Sequence, residues 1–188
     1  MILDRCRGMG GRVVGVTGPV GAGKSRLASE LSPCVLSTDR YLPNYDEVEY
    51  ERRDEPEESD LSRLVRDLEN LAWGRPALVP VWSFQTHRRE GEERMTPPPP
   101  GVPVVVEGLH ALEAIVRPAL DVRVYVEAPA EVRWARWEHL ETTGVRGWGP
   151  EVARAFFEEV AEPAFRRRAS EYRREAHVVV ENGLWRPG

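Results

Sequence analysis

RVVGVTGPVGAGKS, Arg12 to Ser25, is the stretch whose reading decides the fold. Its first part, Arg12 to Thr17, is a short valine-rich run of the kind that forms a strand buried on both faces. Gly18-Pro19-Val20-Gly21-Ala22-Gly23 then breaks the strand, and Lys24-Ser25 opens a helix. Strand, glycine-rich turn and helix, with the spacing G-x-x-x-x-G-K-S, form a phosphate-binding loop. Glycines let the chain turn its amides inward, and the helix N-terminus adds the positive end of a dipole. Lys24 is placed to reach the outer phosphates of a nucleotide, and the Ser25 hydroxyl to ligate magnesium. Gly18, Pro19, Val20, Gly21, Ala22, Gly23, Lys24, Ser25 and Arg26 are therefore the expected contacts of a nucleoside triphosphate, ATP first among them, with Mg2+; the loop alone does not separate a kinase from a GTPase, a motor or a regulatory module. Of the 26 basic residues, 25 are arginine, and Lys24 is the lysine. A compact ammonium fits a tight loop that a planar guanidinium would not.

Working outward, Pro33 to Thr38 is a second short apolar run, and Asp39 to Ser59 reads as an acidic, irregular surface loop. Leu61, Leu64, Val65, Leu68, Leu71 and Ala72 recur at helical spacing, with Ser59 or Asp60 as cap and Gly74 at the stop. Pro97 to Pro100 marks an extended connection. Two more buried strands are expected at Pro103 to Glu107 and Asp121 to Glu127, helices opening near Pro129 and Pro150, and a last strand at Ala176 to Glu181. Strands alternating with helices predict an α/β protein, with a parallel sheet covered by helices on both faces.

A chain of 188 residues has room for one core, so residues 1–188 are expected to form a single domain. The net charge of -5 argues against a nucleic-acid partner, since it would repel the phosphate backbone. The arginines at 166–168 and 173–174 are interleaved with acids and read as a solvated helix face. No stretch has membrane-spanning length, and the first dozen residues lack the apolar run of a signal peptide, so a cytoplasmic protein with no membrane association is expected. Cys6 and Cys34 read as ordinary thiols of a reducing compartment. A homo-oligomer stays open.

The guanine-reading tetrapeptide Asn-Lys-x-Asp is absent. The order of short motifs after the phosphate loop resembles the uridine kinase and phosphoribulokinase family, in register from about Val13 to Glu181. The matching pieces are Ser37-Thr38-Asp39-Arg40-Tyr41, Asp54-Glu55-Pro56-Glu57 with Asp60, and Gly74 and Pro80 leading to Trp82-Ser83-Phe84-Gln85-Thr86-His87-Arg88-Arg89. Val104-Val105-Val106-Glu107-Gly108 and Ala161-Glu162-Pro163-Ala164-Phe165 follow. The resemblance implies a three-layer P-loop fold with a small lid, and transfer of a phosphoryl group from ATP to a small-molecule hydroxyl, uridine or cytidine first among acceptors. It also implies roles. Asp39 takes the proton of the attacking hydroxyl, Lys24 steadies the phosphates, and Glu107 joins Ser25 at magnesium. Asp54, Trp82, Phe84, His87 and Arg89 form the acceptor site. Arg133 and Arg136, three apart on one helix face, are lid arginines, with Arg146 beside them.

The departures gather in the acceptor site and lid. Trp82-Ser83-Phe84 stands where the family has Tyr-Asp-Phe, and Arg146-Gly147-Trp148 where it has Arg-Gly-Arg. Two alternatives stay open: a kinase of the same fold for another hydroxyl, such as a sugar, pantothenate or nicotinamide riboside, and a nucleotide-binding protein without catalysis.

Overall fold

The structure, a computed structural model, describes residues 13–183. Cys6 and Arg12 fall outside that range. Five parallel strands form the central sheet: β1 (Val13–Thr17), β2 (Val35–Ser37), β5 (Val104–Glu107), β6 (Val122–Glu127) and β7 (Val178–Glu181), in the order β2-β5-β1-β6-β7. β1 lies at the centre, paired with β5 on one edge and β6 on the other. Every residue of it is buried, as its unbroken valine pattern requires.

Successive side chains of the sheet point to opposite faces and meet different helices. On one face Val14, Val16, Val105 and Val124 pack with Ala28 of α1 (Lys24–Leu31). On the other, Val13, Val104 and Val106 pack with Leu64, Leu68 and Leu71 of α2 (Leu61–Ala72) and with Phe165 and Tyr172 of α5 (Glu162–Glu175). The result is the three-layer α/β arrangement the sequence predicts. Asp60 caps α2 by accepting the Arg63 amide at 3.1 Å, and Gly74 follows its end with φ 73°. Among the described residues, no helix is long and apolar enough to cross a membrane.

Two features depart from the sequence reading. The segment from Asp39 to Ser59 is not a surface loop throughout. It runs through short 3-10 turns that bury Tyr41, Leu42, Tyr45, Asp54 and Pro56. Tyr41 donates to Asp67 of α2 at 2.9 Å, and the Arg89 Nε donates to the Leu42 carbonyl at 2.8 Å. The second feature is an antiparallel ribbon of β3 (Ala77–Ser83) and β4 (Arg88–Met95), with an irregularity between Pro80 and Trp82. Its β4 sequence, RREGEERM, carries charge on both faces and hides the strand pattern. Ala77 and Val79 of β3 bury in the core beside α2, with Met95 of β4 against it, and ion pairs Arg40–Glu93 and Arg63–Glu92 fasten the charged strand to the body.

Beyond the carboxyl ends of the strands, α3 (Ala130–Thr142) and α4 (Pro150–Phe156) form the lid. A π turn over Phe157–Ala161 carries α4 into α5. Trp137, Phe156 and Phe157 gather there with Leu42 and Tyr45 into a third apolar cluster, separate from the two against the sheet. Of the clustered arginines of α5, Arg168 pairs with Glu57 and Glu113 and Arg173 with Glu127.

Candidate active site

β1, β2 and β5 are parallel, so the segments leaving their carboxyl ends converge. From β1 comes the phosphate loop, from β2 the turn Thr38–Tyr41, and from β5 the terminal residue Glu107. They open on one cavity of about 230 Å³. Gly21, Gly23, Lys24, Ser25, Asp39 and Glu107 line it at one end; Asp54, Trp82, Phe84, His87 and Trp148 line it at the other.

The phosphate end is shaped by main chain. Gly18 (φ 152°) and Gly21 (φ 74°) adopt backbone conformations that side chains disfavour. A Cβ on Gly18 would strike the Val126 carbonyl of β6, and one on Gly21 the Arg133 carbonyl of α3. Lys24 is buried and donates to the Pro19 carbonyl at 3.0 Å. Burial pulls its pKa below the ordinary lysine value, while Glu107 and Asp39 oppose that shift. The Ser25 hydroxyl donates to Glu107 Oε2 at 3.2 Å. A hydroxyl and a carboxylate at the mouth of the loop are hard oxygen donors of the kind Mg2+ takes together with waters and substrate phosphates. Arg26 lies at the rim, with its side chain largely in solvent and paired to Glu30 at 3.2 Å.

Asp39 sits two residues beyond the last residue of β2, in the 3-10 turn, rather than on the strand itself. Burial raises its pKa, against the charges of Lys24 and Arg146. Glu107 is raised for the same first reason, helped by Asp39. Asp54 is buried and pushed up to about 6 by desolvation, while the Tyr45 hydroxyl, donating to its Oδ1 at 2.8 Å, pulls the other way. Three acids thus face one cavity, each holding its proton more firmly than in water.

At the other end of the cavity the rings pack on one another. His87 stacks on Trp148 with centroids 4.0 Å apart and planes 8° from parallel. Tyr45 lies against Trp82, His87, Trp148 and Phe156. His87 has φ 54° at the ribbon turn, and its pKa falls to about 4 through burial and the charges of Arg146 and Arg53. It is neutral at pH 7. Arg89 does not line the cavity; it anchors the loop through the Tyr41 and Leu42 carbonyls.

The arginines divide. Arg136 lines the cavity and donates to the Gly21 carbonyl at 2.9 Å. Arg133, expected beside it as a lid arginine, is buried and engaged elsewhere. It makes a two-pronged pair with Glu162 and donates to the Ala128 carbonyl at 3.0 Å and the Val20 carbonyl at 3.3 Å. It braces the phosphate loop from behind. Arg146 reaches the cavity instead, its guanidinium 4.4 Å from the Phe84 ring centre and 5.0 Å from that of Trp137. Tyr45 and Phe156, which line the site, stand outside any motif. Their signal in the sequence is a surplus of aromatic residues in segments otherwise polar.

The chain matches the model of the phosphoribulokinase / uridine kinase family over residues 13–184. It belongs to that family. Among curated relatives, inorganic pyrophosphatase TTM2 of Arabidopsis thaliana is 35% identical over 119 residues, covering 61% of this chain and 17% of that protein. The uridine kinase of Macrococcus caseolyticus is 31% identical over 137 residues, covering 66% of each. The chain thus spans a small part of the first relative and about two thirds of the second. A Silicibacter crystal structure, provisionally assigned as a fructose transport system kinase, superposes with TM-score 0.70 at 17% identity. It covers 95% of this chain and 98% of its own. That likeness is one of fold.

Proposed function

We propose that this protein is an ATP-dependent phosphotransferase that phosphorylates the 5'-hydroxyl of uridine or cytidine. One observation carries the reading: a partly buried carboxylate, Asp39, shares a cavity with the phosphate-loop lysine on one side and a ring-and-acid pocket on the other. Lys24, Arg136 and Arg146 supply positive charge at the transferring group. Ser25 and Glu107 would hold Mg2+, which offsets charge on the outer phosphates when bound. Asp39 takes the proton of the acceptor hydroxyl as its oxygen bonds to the terminal phosphorus. The bond from that phosphorus to the bridging oxygen of the diphosphate breaks, and ADP leaves. A carboxylate whose pKa is raised by burial is a stronger base for this step than one in water.

Asp54 has one oxygen engaged by Tyr45 and the other available to ribose hydroxyls. The neutral His87 imidazole carries one donor and one acceptor nitrogen. By changing tautomer it answers either the carbonyl of uracil or the amine of cytosine. Since its face is covered by Trp148, a base meets its edge. The same stack favours a second reading, in which a smaller polyol or sugar occupies the pocket, because no slot opens between these two rings. ADP release measured with uridine, cytidine, adenosine and a sugar alcohol tests both. Turnover of the two pyrimidine nucleosides above the others is expected. Preference for the sugar alcohol supports the second reading, and no turnover with any acceptor removes both.

A further inference from the structure

Glu141 stands in the last turn of α3, where the negative end of the helix dipole disfavours a carboxylate, and it is buried there. Three N–H groups meet its charge. Oε1 accepts from Trp137 Nε1 at 2.8 Å, and Oε2 accepts from the amides of Trp148 at 3.1 Å and Gly149 at 3.0 Å. Glu141 thereby closes the loop from Thr143 to Gly149 back onto its own helix. A buried carboxylate satisfied by three donors is costly to disturb, since each donor it releases is left without a partner.

The tip of the same loop is fastened to the turn of the β3–β4 ribbon. Gln85 Nε2 donates to the Gly144 carbonyl at 2.9 Å, and the Gly147 amide donates to the Phe84 carbonyl at 3.2 Å. Gly147 makes that approach because it lacks a Cβ, which would lie 2.8 Å from the Gln85 carbonyl oxygen. Flanking Gly147 on the loop, Arg146 covers Phe84 and Trp148 covers His87. Trp137 joins the two ends, giving its N–H to Glu141 and its ring to Arg146.

We propose that Glu141 is a positioning residue. It latches the 146–149 loop so that Arg146, which faces Asp39 and Lys24 as well as Phe84, and the His87–Trp148 pair are held by one constraint. Acceptor recognition and closure of the lid are then a single event. This rests on reading the cavity as a phosphoryl-transfer site, but its first test does not need an acceptor.

In the ligand-free protein, Glu141→Gln removes one acceptor oxygen and should cut amide hydrogen-exchange protection at residues 148–149 by at least about tenfold, with β1 and β5 unaffected. In turnover, acceptor KM should rise and kcat fall, together costing about 10- to 100-fold in kcat/KM, with ATP affinity unchanged. Glu141→Asp, which keeps both oxygens, should recover part of the loss. Gly147→Ala, which parts the loop from the ribbon, should reproduce the acceptor defect without touching Glu141. Glu138→Gln, exposed on the same helix, should do nothing. Unchanged protection at 148–149 overturns the proposal, as does lost protection with acceptor kinetics intact, or an equal loss of ATP affinity. If the wild type turns over no acceptor, the phosphotransfer reading fails, and the exchange measurement alone decides whether the latch exists.

Discussion

At one end of the cavity the protein presents backbone: amides on glycines wedged against β6 and α3, with a lysine folded over them. At the other end it presents rings contributed by four separate segments, Tyr45 from the loop after β2, Trp82 and His87 from the ribbon, Trp148 from the lid loop and Phe156 from α4. The first arrangement tolerates little, because a single added carbon meets main chain that cannot give way. The second can be rebuilt ring by ring, since aromatic packing accepts many partners provided volume is kept. Within one cavity, the main-chain end is rigid and the ring-lined end is adaptable.

The sharpest way to break this comparison is at Lys24. Lys24→Ala should lower turnover about a thousandfold by removing the charge that faces the outer phosphates. Lys24→Arg should also be poor, because the guanidinium does not fit where Lys24 reaches the Pro19 carbonyl. Single-turnover kinetics at saturating ATP would check both, and normal turnover in either would show that the phosphate end is not so rigid.

Asp39→Asn should cost about a hundredfold in kcat, the scale of a positioned general base, while leaving ATP affinity intact. Titration of nucleotide binding beside the rate measurement separates the two. Loss of ATP binding would mean that Asp39 belongs to the donor end, with Glu107, rather than to the junction between the ends.

The same contrast explains what could be read in the sequence. β1, α1 and the glycines are contiguous, and their geometry leaves few residue choices, so Arg12 to Ser25 announces itself. Asp39 and Glu107 follow because they leave the ends of neighbouring strands in a sheet whose parallel order the alternating pattern already implies. The ribbon was not legible, since β4 is charged on both faces and β3 contains Pro80. The loop from Asp39 to Ser59 looked solvated because its acids outnumber its buried tyrosines. The lid role of Arg133 and Arg136 comes from the family resemblance, and their helical spacing gives the face of each residue but not its partner. Glu162, 29 positions away from Arg133, takes that arginine into the framework, and Arg146 comes to the cavity from a loop with no periodicity to read.

A smaller effect is expected at the adaptable end. His87→Phe keeps a flat ring against Trp148 and removes both nitrogens, so a base group is left unpaired at a loss of about 1 to 3 kcal/mol for uridine and cytidine alike. Adenosine and a sugar alcohol should be unaffected. Steady-state kinetics on the four acceptors would check this, and indifference of the pyrimidine nucleosides would move the base reading away from His87.

The smallest expected change in rate is carried by pH, and it opposes a change in stability. Asp54 has its pKa raised to about 6, chiefly by burial, from an ordinary 3.8. If its ionised form holds the acceptor, kcat/KM for the acceptor should fall by about tenfold between pH 7 and pH 5, as the ionised fraction falls about tenfold. For stability the sign reverses. Between the unfolded and folded values the native protein binds more protons than the unfolded chain, so stability falls as pH rises from about 4 to 6. At the ordinary 1.36 kcal/mol per unit, the ionised buried acid costs on the order of 3 kcal/mol at pH 7. Asp54→Asn, which keeps an acceptor for the Tyr45 hydroxyl, should be more stable than the wild type at pH 7 and lose that advantage by pH 4, while its acceptor kcat/KM is low throughout. Urea denaturation of both proteins at pH 4, 5, 6 and 7 beside the rate profile would check it. A wild-type rate that falls toward pH 5 without the opposing stability difference would assign the titration to Asp39 or Glu107, whose pKa values burial also raises, and would return the pH response to the phosphate end of the cavity.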